Sequence, residues 1–152
     1  MRIEPITAEM AERYREQIAQ LYFENIRSCA FLDSFSLNNA NQKIGDFIGH
    51  LKNHTAIGYG AFEDNCLCGL IWAYPHQFRE EKRMYVNEIR VGEKYRCHGI
   101  GSQLLMLVEE KAKEQGLGAI YLHVEAGNKD VRRLYEVCGY VEERIQMRKE
   151  IL

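Results

Sequence analysis

Proline is scarce, with 2 in 152 residues, and no stretch is rich in Pro, Gly or Ser. That excludes collagenous, low-complexity and linker-joined architectures, and no compositional break marks a domain boundary. No apolar run approaches the ~18–20 residues needed to cross a bilayer. The N-terminus, Met1-Arg2-Ile3-Glu4-Pro5, also lacks the apolar stretch of a signal peptide. Neither sign of charge dominates: 20 Lys+Arg stand against 22 Asp+Glu, a formal net charge of -2. The clustered basic surface that neutralises phosphates in a nucleic-acid binder is therefore missing. These absences predict a cytoplasmic protein with neither nucleic acid nor membrane as partner.

Paired cysteines at metal-binding spacing are absent too. The five cysteines, Cys29, Cys66, Cys68, Cys97 and Cys138, are odd in number and scattered over ordinary-looking segments, which predicts reduced thiols. Cys66-Leu67-Cys68 places two thiols on one face of a strand, but no second pair follows, and no metal is expected. What is present is an ordinary globular mixture, 46% hydrophobic and 28% charged. A chain of this length buries roughly 68–70% of its unfolded surface, enough for one self-sufficient core, so residues 1–152 read as a single domain.

Periodicity orders the elements. A first strand lies near Arg2–Ile6, and Thr7 is placed to cap a helix carrying Ala11, Tyr14, Ile18 and Leu21 at helical spacing. A second helix spans about Asn38 to Lys52, with Ile44, Phe47, Ile48 and Leu51 as its stripe. Thr55–Phe62 and Cys66–Tyr74 form a hairpin across the polar turn Glu63-Asp64-Asn65. The charged run Arg79–Arg83 reads as a loop or hairpin tip before a third long strand, Met84–Val91. A helix over Gly101–Gln115, ended by Gly116, is followed by a strand at Ala119–Val124 and a short helix, Lys129–Cys138, ended by Gly139. A last strand is expected from Tyr140 to about Lys149. The order βααβββαβαβ implies a mixed α/β fold with a mostly antiparallel sheet, one parallel pair, and helices covering it.

The most informative segment is Val91-Gly92-Glu93-Lys94-Tyr95-Arg96-Cys97-His98-Gly99-Ile100-Gly101-Ser102, which joins a strand to the start of a helix. Glycines at 99 and 101 let backbone approach a ligand, and N–H groups at a helix N-terminus favour an anion. A bland strand-to-helix turn explains the same glycines without any ligand.

Arg96-Cys97-His98-Gly99-Ile100-Gly101 fits the Arg/Gln-x-x-Gly-x-Gly/Ala signature and so resembles the GNAT superfamily of acyl-CoA-dependent N-acetyltransferases. Leu122-His123-Val124-Glu125-Ala126-Gly127-Asn128 followed by Leu134-Tyr135-Glu136-Val137-Cys138-Gly139-Tyr140 is similar to that family's second signature. The resemblance covers about Met84 to Tyr140 by motif, and the rest of the chain by element order alone. Two departures are visible: Val91-Gly92-Glu93-Lys94 lacks the common proline, and Val131 stands where Ala is frequent.

The resemblance implies a GNAT-like sheet with one splayed parallel strand pair and helices on both faces. It further implies acetyl-CoA as cosubstrate and acetyl transfer to a primary amine, without metal. The pyrophosphate would lie against the N–H groups of Arg96, Cys97, His98, Gly99, Ile100 and Gly101, with the Ser102 hydroxyl near. Pantetheine would pair with the edge of Ile89, Arg90 and Val91. Tyr135 would act as general acid toward the departing thiolate, although Val131, Leu134, Tyr135 and Cys138 also read as a helix's buried stripe. Glu88 is the candidate general base, against the alternative of a strand carboxylate paired with Arg90 or a lysine. Glu125 and a water molecule are its rivals. Asn128 either contacts the cofactor or caps the next helix.

The acceptor is not legible. In the family its choice rests on segments corresponding to about Phe23–His54 and Pro75–Arg83. Here Asp33, Asp46, Glu80 and Glu81 are offset by Lys43, Lys52, Arg79, Lys82 and Arg83. A small amine, an antibiotic, a polyamine and a peptide or protein amine all fit. A fold of this kind that binds acyl-CoA without turnover, as a sensor or interaction module, is the alternative. The resemblance also allows a homodimer, through the last strand or a helix face.

Overall fold

The computed structural model describes residues 1–26 and 37–152, and the side chains of residues 25, 26 and 37 are not discussed. Cys29 and Asp33 lie outside the described residues. The elements run β1 (Arg2–Pro5), α1 (Ala8–Arg13), α2 (Arg15–Ile26), α3 (Leu37–Lys52), β2 (Ile57–Glu63), β3 (Cys66–Phe78) and β4 (Glu81–Val91). A single 3-10 turn (Glu93–Tyr95) follows, then α4 (Ile100–Glu114), β5 (Ile120–Tyr121) and α5 (Lys129–Val137).

The strands form one sheet in the order β1-β2-β3-β4-β5, antiparallel except for the parallel pair β4–β5. Helices cover both faces, and two cores result. On one face α1, α2 and α3 bury Ile18, Tyr22, Ile44 and Phe47 against Phe62, Leu70 and Trp72. On the other, α4 and α5 bury Leu104, Val108 and Tyr135 against Ala61, Ile71, Ala73, Met84 and Val86. Gly58 and Gly60 admit the first layer. A Cβ at Gly58 would lie 2.7 Å from the Phe47 ring, and one at Gly60 would lie 2.7 Å from both Ile6 and Phe62.

Thr7 caps α1 as its sequence position predicts, its Oγ1 accepting the Met10 N–H at 3.1 Å. The expected single first helix is interrupted at Tyr14, whose ring turns to pack on Phe62 at 5.1 Å. The hairpin β3–β4 is longer than predicted. Lys82 and Arg83 belong to the ladder, opposite Gln77 and His76, and only Arg79 and Glu80 form the tip. Charged side chains do not prevent a strand whose backbone is paired on one side and whose faces are open to water.

The largest departure is at the C-terminus. Residues 140–152 carry no regular secondary structure and join no ladder, contrary to the expected last strand at Tyr140–Lys149. A strand needs a partner edge, and β5 reaches only from Ile120 to Tyr121 instead of Ala119–Val124. Within one chain, nothing among the described residues supplies the missing ladder.

Phe47 tests the first core: it is fully buried and stacks on Trp72 with ring centroids 5.0 Å apart. Phe47→Ala leaves a cavity under Gly58 and is expected to cost about 3–5 kcal/mol in chemical denaturation.

Candidate active site

The site starts from a break in pairing. β4 and β5 are joined only at Met84–Ile120 and Tyr85–Tyr121, and beyond Tyr85 the two strands part. Just past that point β4 carries a bulge. Trp72 lies opposite Glu88 and Ala73 opposite Val86, leaving Asn87 as the extra residue. A bulge re-aims the side chains that follow it, and this one does so where the gap opens. It reverses the alternation: Val86 enters the core under α4, while Glu88, also even-numbered, faces α2 and α3.

The free edge of β4 is directed into the gap. Gly92 donates its N–H to the Cys68 carbonyl on β3 at 2.8 Å, so by alternation Val91 and Ile89 turn their N–H groups to the open side. Arg96 Nε donates to the Val91 carbonyl at 3.2 Å, which folds its side chain back over the strand end. Arg90 shares the opposite face with Glu88, its guanidinium 5.6 Å from the Tyr22 ring centre.

Next along the chain, the 3-10 turn and the loop to α4 form the anion cradle. Cys97 has φ 64° and Gly99 φ 80°, so the chain turns twice through left-handed conformations before the helix starts. The φ of Gly99 favours glycine, and a Cβ there would meet nothing within 4 Å, so open space lies before the loop. The first N–H groups of α4, at Ile100, Gly101 and Ser102, have no carbonyl one turn earlier to bond. With the helix dipole they make a site suited to phosphate. Gly101 serves packing instead, since a Cβ would stand 3.1 Å from Leu134 of α5. His98 Nδ1 bonds the Tyr95 carbonyl at 3.2 Å, and the Ser102 hydroxyl accepts from Cys138 Sγ at 3.8 Å. Within the segment Arg96 to Ser102 read from sequence, the Arg96 N–H is donated to the Glu93 carbonyl at 3.4 Å.

Asn128 is occupied by capping: its side chain accepts the Val131 N–H at the start of α5. That helix carries Tyr135, which is buried against the second core beside Tyr140, with ring centroids 5.7 Å apart. Burial pushes the Tyr135 phenol up to about 12, with Arg90 pulling it down and Glu88 pushing it up. The sheet-edge charges thus act on Tyr135 from across the gap.

Glu88 is buried, and both of its oxygens are taken. Lys43 Nζ of α3 lies 2.8 Å from Oε1, and Arg90 Nη2 lies 2.9 Å from Oε2. Glu125 sits exposed on the turn after β5, where its carbonyl accepts the Asn128 N–H at 3.0 Å.

Beside Glu88 a cleft of about 560 Å³ opens between α3 and the sheet, lined by Lys43, Asp46, His50, Trp72, Tyr74 and Asn87 among others. His50 stacks on Tyr74 with centroids 4.8 Å apart, and its Nδ1 lies 2.8 Å from the Thr55 hydroxyl. Sequence alone did not single out Trp72, Tyr74, His50 or Asn87 for the site. Asn87 could be found only through the bulge. His50, however, falls on the helical stripe of α3, three residues after Phe47. A second hollow of about 440 Å³, between α2, the start of β3 and the 3-10 turn, backs the loop, where Glu24 accepts the Glu93 N–H at 3.0 Å. Among the described residues no group of three or more His, Cys, Asp or Glu side chains is arranged to hold a metal ion, and no helix is long and apolar enough to cross a membrane.

The upward displacement of Tyr135 has a sign in stability. An unfolded phenol ionises near 10 and the folded one near 12, so its contribution is complete below pH 10 and is lost as pH rises towards 12. Denaturation measured across that window is expected to show a smaller alkaline decline for Tyr135→Phe than for the parent.

This arrangement has close structural parallels. A mutant of the BH1408 protein from Bacillus halodurans superposes with a TM-score of 0.85 at 18% identity, covering 100% of both chains. The structure of AAC(6')-Iy with the bisubstrate analogue CoA-S-monomethyl-acetylneamine superposes with a TM-score of 0.73 at 15% identity, over 99% of this chain and 98% of that one. In sequence, the uncharacterized N-acetyltransferase YdgE of Bacillus subtilis is 24% identical over 152 residues, 98% of this chain and 97% of its own. The probable N-acetyltransferase 14 of Xenopus tropicalis is 32% identical over 96 residues, which is 61% of this chain and 42% of that protein. Residues 12–140 match the acetyltransferase (GNAT) family, from within α1 to the end of the Tyr135 helix and its glycine stop, and to that family this chain belongs.

Proposed function

We propose that the chain transfers the acetyl group of acetyl-CoA directly to a primary amine of a small molecule or peptide. The observation that carries this reading is the free edge of β4 at Ile89 and Val91, opening beside a phosphate-suited loop and the buried Tyr135. When bound, acetyl-CoA supplies an activated acetyl thioester.

The chain's own groups divide the remaining work. Backbone N–H groups from Cys97 to Ser102 hold the pyrophosphate, and the outward N–H groups of β4 orient the pantetheine arm. One of these also faces the carbonyl oxygen where negative charge develops during acyl transfer. Tyr135, kept neutral by burial, donates a hydrogen bond to the sulfur as charge builds there. The acceptor enters by the cleft of Lys43, Asp46, His50, Trp72 and Tyr74. A protonated amine replaces the half-exposed Lys43 ammonium on Glu88 Oε1, and Glu88 then takes its proton.

One observation favours a second reading, a binding module without turnover. Glu88 already satisfies both oxygens within the protein, so it has a structural role that needs no substrate.

Thermal unfolding with acetyl-CoA, desulfo-CoA and ATP separates these readings when combined with an amine panel. Both CoA species are expected to raise the melting temperature and ATP to leave it unchanged, since a ligand that binds only the native state stabilises it. Tyr135→Phe is expected to retain that shift and to lose about 10²–10⁴-fold in turnover. Absence of any CoA shift overturns the site; a shift with no turnover on any amine supports the binding module.

A further inference from the structure

Lysines meet carboxylates at several points, and one meeting differs from the others. Lys111 and Lys113 pair with Glu114 and Glu109 along α4, and those carboxylates are 62% and 49% exposed. Pairs of that kind are ordinary solvated contacts. Lys43 instead pairs with Glu88, whose side chain is 7% exposed. Its amine reaches down from α3 to lie 2.8 Å from Oε1 of the carboxylate that stands as the candidate general base. Lys43 itself keeps 46% of its side chain open to water, so the pairing does not seal the amine away.

That amine also stands beside the gap in the sheet. Lys43 and Asn87 line the same cleft of about 560 Å³. Asn87 is the bulged residue of β4, two positions past Tyr85, where pairing with β5 ends. The cleft therefore opens where the two strands part, with Glu88 and the outward N–H of Ile89 next in the chain. The charge of Glu88 is felt by the Tyr135 phenol from across that gap. A lysine ammonium is a compact head on a flexible four-carbon stem, so Nζ can swing from the carboxylate toward the gap without any movement of α3.

Resting on the acetyl-transfer reading above, we propose that Lys43 is a self-acetylation site: with acetyl-CoA bound and the acceptor cleft empty, its own amine takes the acetyl group. The step balances without a further reagent. Glu88 takes a proton from the ammonium, the neutral Nζ attacks the thioester carbonyl carbon, an N–C bond forms and the C–S bond breaks. Of the three ammonium protons, one stays on the amide nitrogen, one ends on the sulfur of CoA, and one leaves through Glu88 to solvent. The product is a neutral amide that no longer pairs as a cation with Glu88. Arg90, 2.9 Å from Oε2, stays as a cationic partner of the carboxylate. Acetylation thus removes the ammonium that an incoming amine has to displace and leaves an acetamide in the cleft.

The test uses the full chain with acetyl-CoA and no added amine. Peptide mapping by mass spectrometry is expected to find an acetyl group on Lys43, with loss of tryptic cleavage before Ile44, well ahead of any label on Lys82, which is exposed on the β3–β4 hairpin. Excess desulfo-CoA should suppress the label on Lys43 and leave that on Lys82 unchanged. Dilution of the protein should not alter the rate constant at Lys43, as for a reaction within one chain. Glu88→Gln is expected to slow that labelling by about 10²–10⁴-fold, while a persisting melting-temperature shift with acetyl-CoA shows that the variant is folded. Lys43→Arg, which keeps a cation beside Glu88, should reduce early acetyl uptake to the level of the exposed lysines. Labelling of Lys43 no faster than that of Lys82, a rate that rises with protein concentration, or labelling undiminished in folded Glu88→Gln overturns the inference and leaves the acetyl-transfer reading standing. Absence of the acetyl-CoA shift in the parent overturns both.

Discussion

The structure turns on the point where β4 stops pairing with β5. Had the parallel ladder continued past Tyr85, the N–H groups of Ile89 and Val91 would be spent on β5 and no gap would exist. Instead, the bulge at Asn87 falls just past the end of the ladder, and the candidate site is arranged around the edge so exposed. The phosphate-suited loop continues directly from that edge. α5, capped by Asn128, delivers Tyr135 to the same place from the other side.

The bulge has an electrostatic consequence as well. By reversing the alternation it turns Glu88 away from the core under α4 and toward Tyr22, Trp72 and α3. A buried carboxylate is costly unless paired, and Arg90 on its own strand and Lys43 on α3 provide the pairing. Arg90 is set by the strand, two residues away on the same face. Lys43 belongs to the helix that roofs the adjacent cleft, so the charge at Glu88 is coupled to the position of α3. The aromatic stack of His50, Trp72 and Tyr74 forms the apolar floor of that roofed space.

Much of this was legible in the chain itself. The stripe Ile44, Phe47, Ile48, Leu51 marked α3 to within one residue of its start, because helical burial repeats at a spacing that sequence displays directly. Gly99 and Gly116 sit at positive φ where a loop and a helix end require it, which glycine signals by its presence. The ion pairing of Glu88 with Arg90 was readable as a same-face neighbour, but Lys43 was not. It stands forty-five residues away and meets Glu88 only when α3 packs on the sheet. The lengthened hairpin was missed because charge at Lys82 and Arg83 reads as a loop unless the partner strand is known.

Alone, the amino-acid sequence determined the family, the order of strands from β1 to β5, the glycine-bearing turn into α4 and the helix that carries Tyr135. Each rests on local spacing, on glycine's conformational freedom or on a short motif, and these are encoded within a few consecutive residues. Tertiary structure alone decided where β4 leaves β5, which core Glu88 faces, what holds its oxygens, and that a Cβ at Gly101 would crowd Leu134. It also decided that residues 140–152, patterned as a strand, join no ladder within the protomer. These outcomes depend on pairing and packing between distant segments, and a strand's alternation shows which side is apolar without showing whether any edge is there to receive it.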